Sequence, residues 1–142
     1  MQPCLFDTSI FISALRRGGG ATSALRSLSA GAPVWLSAVV LEELYAGAGD
    51  RDFDVVERLE RDFNRIKRIL VPSLSDWAQA GRVLARLAAK YDYEEIGRGR
   101  LTNDALIAMS AARSSILIIT ENARDFRRLG ELRDFHWQIA GI

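Results

Sequence analysis

The feature that most restricts this chain is an alternation. Short apolar runs each end at a polar or helix-breaking residue, and a stretch with helical periodicity follows. Cys4, Leu5 and Phe6 end at Asp7; Val34, Trp35 and Leu36 at Ser37; Ile69, Leu70 and Val71 at Pro72; and Ile116 to Ile119 at Thr120. A last run, Phe135 to Ile139, reads as an edge strand. Strands alternating with helices predict an α/β fold, with a mainly parallel sheet of four to five strands covered by helices on both faces. The 142 residues fit a single domain over 1–142.

The intervening segments give the helices. Thr8 and Ser9 are expected N-caps for a helix carrying Ile10, Phe11, Ala14 and Leu15. Gly18, Gly19 and Gly20 break the chain before a short helix over Ala21–Leu28. These glycines follow a helix rather than a strand, so they do not form a phosphate-cradling fingerprint. Val39, Val40, Leu41, Leu44 and Tyr45 supply the apolar positions of the next helix, which Gly47 and Gly49 stop. From Arg51 to Arg68, the residues Phe53, Val56, Leu59, Phe63 and Ile66 recur at helical steps among charges. Ser75 is expected to cap a long helix through Tyr91 that buries Trp77, Ala80, Val83, Leu84 and Leu87. Asp92 to Arg100 reads as a polar loop, and Thr102 or Asn103 as the cap of a helix to about Arg113. A short helix around Arg124–Leu129 completes the set.

Composition excludes several classes. The net charge of +1 provides no bulk basic field, so nucleic-acid binding would use local patches or metal. A lone cysteine, Cys4, cannot form an internal disulfide and is compatible with a reducing, cytoplasmic setting. Asp7 interrupts the first apolar run with no cationic segment before it, which argues against a signal peptide. Nothing approaches the roughly 18 apolar residues of a membrane span, so no membrane partner is expected. His136 is the only histidine and reads as structural.

The chemistry is carried by acids at strand ends and helix starts. Asp7 follows the first strand, Glu43 lies on the helix after the second, and Asp104 is near the start of the helix in LTNDALIA. After Thr120 come Glu121, Asn122 and Asp125. In a parallel sheet the strand carboxyl ends open on one edge, where ligands bind. Two carboxylates 4 Å apart repel by about 4 kcal/mol at an effective dielectric of 20. A divalent cation removes that penalty. Oxygen-only donors suit Mg²⁺ or Mn²⁺, and no His/Cys cluster is present for zinc. Such an ion activates water and neutralises a phosphodiester.

LFDTSIFI, SAVVLEELYAGA, GRGRLTNDALIA and IITENARDF together resemble the four motifs of the PIN-domain family, most closely its VapC-type ribonuclease toxins. The resemblance spans nearly the whole chain. It implies a three-layer α/β/α fold, Mg²⁺- or Mn²⁺-dependent RNA cleavage, a cognate antitoxin and frequently a homodimer. By motif, Asp7, Glu43 and Asp104 are the implied metal-binding acids, with Glu42 the exposed neighbour of Glu43. At the fourth position many members carry an acid where Asn122 stands. Asn122 is favoured there by position and Asp125 by charge. Thr8, Ser9 and Thr120 would orient carboxylates or water. Arg98 and Arg100 could contact RNA phosphates. An aspartyl-phosphate enzyme would need an acid where Ser9 stands, and a receiver domain would need a late lysine, whereas Lys90 is the last. The remaining competitor is a non-catalytic RNA-binding or assembly module of the same fold.

Overall fold

The computed structural model describes residues 1–16, 21–91 and 100–140, without the side chains of 21–24 and 100. The strands are β1 (Cys4–Phe6), β2 (Val34–Ser37), β3 (Ile69–Leu70), β4 (Leu117–Thr120) and β5 (Trp137–Ile139). The helices are α1 (Thr8–Arg16), α2 (Ala21–Ser29), α3 (Ala38–Gly47), α4 (Phe53–Arg65), α5 (Leu74–Tyr91), α6 (Arg100–Ser114) and α7 (Ala123–Gly130). The five strands form one sheet in the order β3-β2-β1-β4-β5, with every neighbouring pair parallel. Helices cover it in a three-layer α/β/α arrangement. Helix α1 packs on α2 and α3, α3 on α4, and α5 on α6, with α7 against both of the latter.

Strand β1 is central and all its residues are buried, as expected of a strand covered on both faces. It pairs with β2 on one side and with β4 on the other, so the strand order reverses between β1 and β4. In open α/β sheets that reversal opens a crevice at the strand carboxyl ends. Phe6 stands opposite Ile119 in the register, which makes Asp7 and Thr120 neighbours one step further on. Of the five buried polar residues described, three lie at this level: Ser37 at the end of β2, Asp7 after β1 and Thr120 at the end of β4.

Several local expectations are corrected. Asp7, not Thr8 or Ser9, precedes the first helix, and its carboxylate Oδ1 accepts from the Ile10 N–H at 3.4 Å. The two hydroxyls are thereby available to donate to carboxylates, Thr8 to Glu43 and Ser9 to Asp7 itself. Ser73, not Ser75, caps α5: Asp76 N–H donates to Ser73 Oγ at 3.2 Å, while Ser73 N–H donates to Asp76 Oδ2 at 2.8 Å. This is a reciprocal capping box. Trp77 is 56% exposed, because Asp76 rather than Trp77 shares the inner face with Ala80, Val83 and Leu87. Arg113 on α6 meets Asp76 there and makes its burial tolerable. Phe53 and Ile66 sit at the ends of α4 and are exposed, whereas Val56 at its inner face is buried. Thr102 and Asn103 lie inside α6 rather than capping it, since α6 begins at Arg100. Of the loop expected over Asp92–Arg100, residues 92–99 lie outside the described residues.

Candidate active site

Asp7 is the centre of the constellation. It is 4% exposed, and neutral groups hold both of its carboxylate oxygens. Ser9 Oγ donates to Oδ1 at 2.5 Å and Thr120 Oγ1 donates to Oδ2 at 2.5 Å. Each hydroxyl is in turn backed by a backbone N–H of the turn after β4. Glu121 N–H donates to Ser9 Oγ at 3.3 Å, and Asn122 N–H donates to Thr120 Oγ1 at 2.8 Å. Those incoming bonds orient the hydroxyl hydrogens toward Asp7. Burial nevertheless raises the Asp7 pKa, with the bonds from Ser9, Thr120 and the Ile10 N–H pulling the other way. Desolvation disfavours the charged form, and among the described residues none of the groups acting on its titration is a cation.

From Thr120 the network continues to the other acids. The Asn122 side chain donates from Nδ2 to Asp125 Oδ2 at 2.9 Å and, at a longer 3.5 Å, to Asp104 Oδ2. Asp104, on the second turn of α6, is thus brought to the start of α7. Glu43 joins from the opposite side of β1: Thr8 Oγ1 donates to Glu43 Oε1 at 2.7 Å. Glu43 is partly buried and Glu42 exposed, as the spacing of Leu41, Leu44 and Tyr45 predicts. A cleft of about 290 Å³ between α1, α3 and α4 is lined by Glu43 and Arg16.

The carboxylates do not form a ready-made cage. Among the described residues, no three Asp, Glu, His or Cys side chains stand together so as to hold an ion. Asp7 and Glu43 are linked through the adjacent Thr8, and Asp7 is connected to Asp104 and Asp125 through Thr120 and Asn122. Of the arginines singled out for phosphate contact, Arg98 lies outside the described residues. Arg100 opens α6, and its side chain is not among those described. The donor set does suit a hard cation. Among the described residues, the polar groups bonded to Asp7 are hydroxyls and a backbone N–H; Cys4 is buried within β1, and His136 is engaged with Gln2 at 2.6 Å. Mg²⁺ characteristically binds through one or two carboxylates, keeping waters for the remaining positions, so a site without a three-carboxylate cage fits it.

Sequence reasoning did not reach the role of Ser13, whose Oγ donates to Glu121 Oε2 at 3.1 Å. Ser13 lies four residues after Ser9, one turn along the same face of α1, which is the signal that could have found it.

The PIN domain family profile matches residues 4–132. The chain belongs to the PIN-domain family. A sequence search of curated proteins gave no match. Solved structures share the PIN fold over almost the full length. A chain of the DNA-bound VapBC complex of Salmonella typhimurium superposes with a TM-score of 0.66 at 20% identity, covering 98% of both chains. The promoter-bound VapBC2 of Rickettsia felis gives 0.62 at 18% identity, covering 99% of this chain and 100% of that one. FitAcB of Neisseria gonorrhoeae gives 0.59 at 24%, covering 94% and 95%. At these identities the likeness is one of fold. The PIN domain described here brings Asp7, Asp104, Asn122 and Asp125 into one hydrogen-bonded run, and ties Glu43 to the residue beside Asp7.

Proposed function

We propose that this PIN domain is a Mg²⁺- or Mn²⁺-dependent endoribonuclease, and the toxin of a VapBC-type pair that a cognate antitoxin restrains. The observation that carries the proposal is the buried Asp7 carboxylate, held on both oxygens by neutral donors and desolvated with no cation beside it among the described residues. A group in that state gains from an external cation, and it lies at the sheet's topological switch point. The family membership supports a hydrolytic role, and the likeness to chains of toxin–antitoxin complexes supports the antitoxin partner.

Asp7 and Asp104 would hold the cation directly, and Glu43 would act through water or place the nucleophile. The bound cation supplies Lewis-acid stabilisation of the phosphodiester and lowers the pKa of water. Ser9 and Thr120 fix the rotamer of Asp7, so that its carboxylate need not reorganise during the reaction. Thr8 does the same for Glu43. Asp125 would accept a hydrogen bond from the attacking water. Arg98 and Arg100 are the proposed phosphate contacts of the RNA backbone.

The test is RNA cleavage by the purified protein with Mg²⁺ or Mn²⁺, with EDTA, and with Asp7→Asn at matched purity. The expected result is metal-dependent cleavage that the substitution abolishes. Cleavage indifferent to EDTA and to the substitution would remove Asp7 from the chemistry. Absence of both cleavage and metal binding would leave a non-catalytic RNA-binding or assembly module.

A further inference from the structure

We infer that Asn122 acts as a positioning residue, a neutral clamp that sets Asp125 toward the cation. The inference rests on the metal-dependent function proposed above. Its basis is the direction of the bonds. The Asn122 amide turns its nitrogen, not its oxygen, toward the acids. Nδ2 lies 2.9 Å from Asp125 Oδ2 and 3.5 Å from Asp104 Oδ2. An amide nitrogen donates and cannot ligate a cation.

The clamp is itself fixed. The Asn122 backbone N–H is bonded to Thr120 Oγ1, the hydroxyl that holds Asp7. Asn122 therefore ties the first-strand acid to those of α6 and α7 with donors alone. An aspartate at this position would add a third negative charge beside Asp104 and Asp125, and it would donate nothing. Asp125, in the first turn of α7, is partly buried and keeps its second carboxylate oxygen for other ligands. A carboxylate with one oxygen pinned loses less rotamer freedom when it engages an ion or its water shell.

The prediction concerns coupling. Mn²⁺ affinity is measured by calorimetry on the full chain for wild type, Asn122→Ala, Asp125→Ala and the double variant. Asn122→Ala is expected to weaken binding on the order of tenfold, within the range for groups that orient metal ligands. Asp125→Ala is expected to weaken it at least as much, and the double variant no further, because Asn122 acts through Asp125. Should Asn122→Ala fail to fold, Asn122→Ser, which keeps a short donor, takes its place in the cycle. Losses that multiply in the double variant, or an unchanged affinity on removing the Asn122 amide, would overturn the clamp. If wild type binds Mn²⁺ and cleaves RNA while the cycle is additive, only the clamp fails. If wild type neither binds nor cleaves, the proposed function fails and takes the clamp with it.

Discussion

Two aspartates are buried almost equally in this protein, Asp7 at 4% exposure and Asp76 at 3%, and their surroundings differ in one respect. Asp76 has its counter-ion built in. Arg113 approaches with Nε at 3.1 and 2.9 Å from its two oxygens and with a second guanidinium nitrogen at 2.9 Å. Ser73 N–H completes the arrangement, and the assembly locks α5 to α6. Among the described residues, Asp7 is given hydroxyls and a backbone N–H but no charge. Within that set, one site is closed electrostatically by the fold, and the other is left one cation short. A buried carboxylate completed by the chain is a structural joint. A buried carboxylate left incomplete is where a ligand gains most, and burial alone does not tell the two apart.

The contrast can be broken by experiment. The largest effect expected is on chemistry: Asp7→Asn should reduce metal-dependent cleavage by well over the roughly 10–100-fold typical of groups that merely orient metal ligands, while Arg113→Ala leaves cleavage per folded molecule intact. Comparable losses of specific activity from both would erase the distinction.

On stability the order reverses. Arg113→Ala strands a buried charge at Asp76 and should cost about 2–3 kcal/mol in chemical denaturation. That is somewhat below the roughly 3–5 kcal/mol of a fully buried pair, since water reaches the half-exposed Arg113 side of the pair. Wild type should gain about 2.7 kcal/mol when Mg²⁺ is raised to a hundred times its Kd. Asp7→Asn should gain much less, and Arg113→Ala should gain as much as wild type. Thermal melts with and without EDTA separate these cases.

The smallest effect is a pH dependence. Burial raises the pKa of Asp7 above its unfolded value, so in the window between the two the native state binds more protons than the unfolded one. The Asp7 contribution therefore lowers metal-free stability as pH rises from the ordinary carboxylate range through the folded pKa. In EDTA, the difference in Tm between wild type and Asp7→Asn should drift against wild type over that window, and saturating Mg²⁺ should flatten it. A drift of the opposite sign would mean that the hydroxyl donors outweigh desolvation.

Much of the architecture was legible because its signals are local. The apolar runs, the acids that follow them and the helical spacing of Val39, Val40 and Leu44 each depend on residues within a turn or two, and all led to the parallel sheet that is observed. Errors arose where a distant residue decided the outcome. Trp77 is the aromatic residue in the first turns of α5, yet the inner face went to its neighbour Asp76, because Arg113 stands 37 residues away in the chain to receive it. The cap of α5 is an exception, decided locally: Ser75 has the residue type of a cap, but Ser73 has the partner Asp76 three residues on.

The sequence by itself determined the fold class and which acids stand at strand ends, since hydrophobic period and capping chemistry act over a few residues. Only the tertiary structure decided which donor meets which acid. Thr120 reaches Asp7 across 113 positions through the β1–β4 register, and the Asn122 amide nitrogen faces Asp125 and Asp104. The physical reason is that a hydrogen bond depends on direction as well as distance. Residue type supplies the donors and acceptors, but the packing of α6 and α7 against the sheet edge aims them.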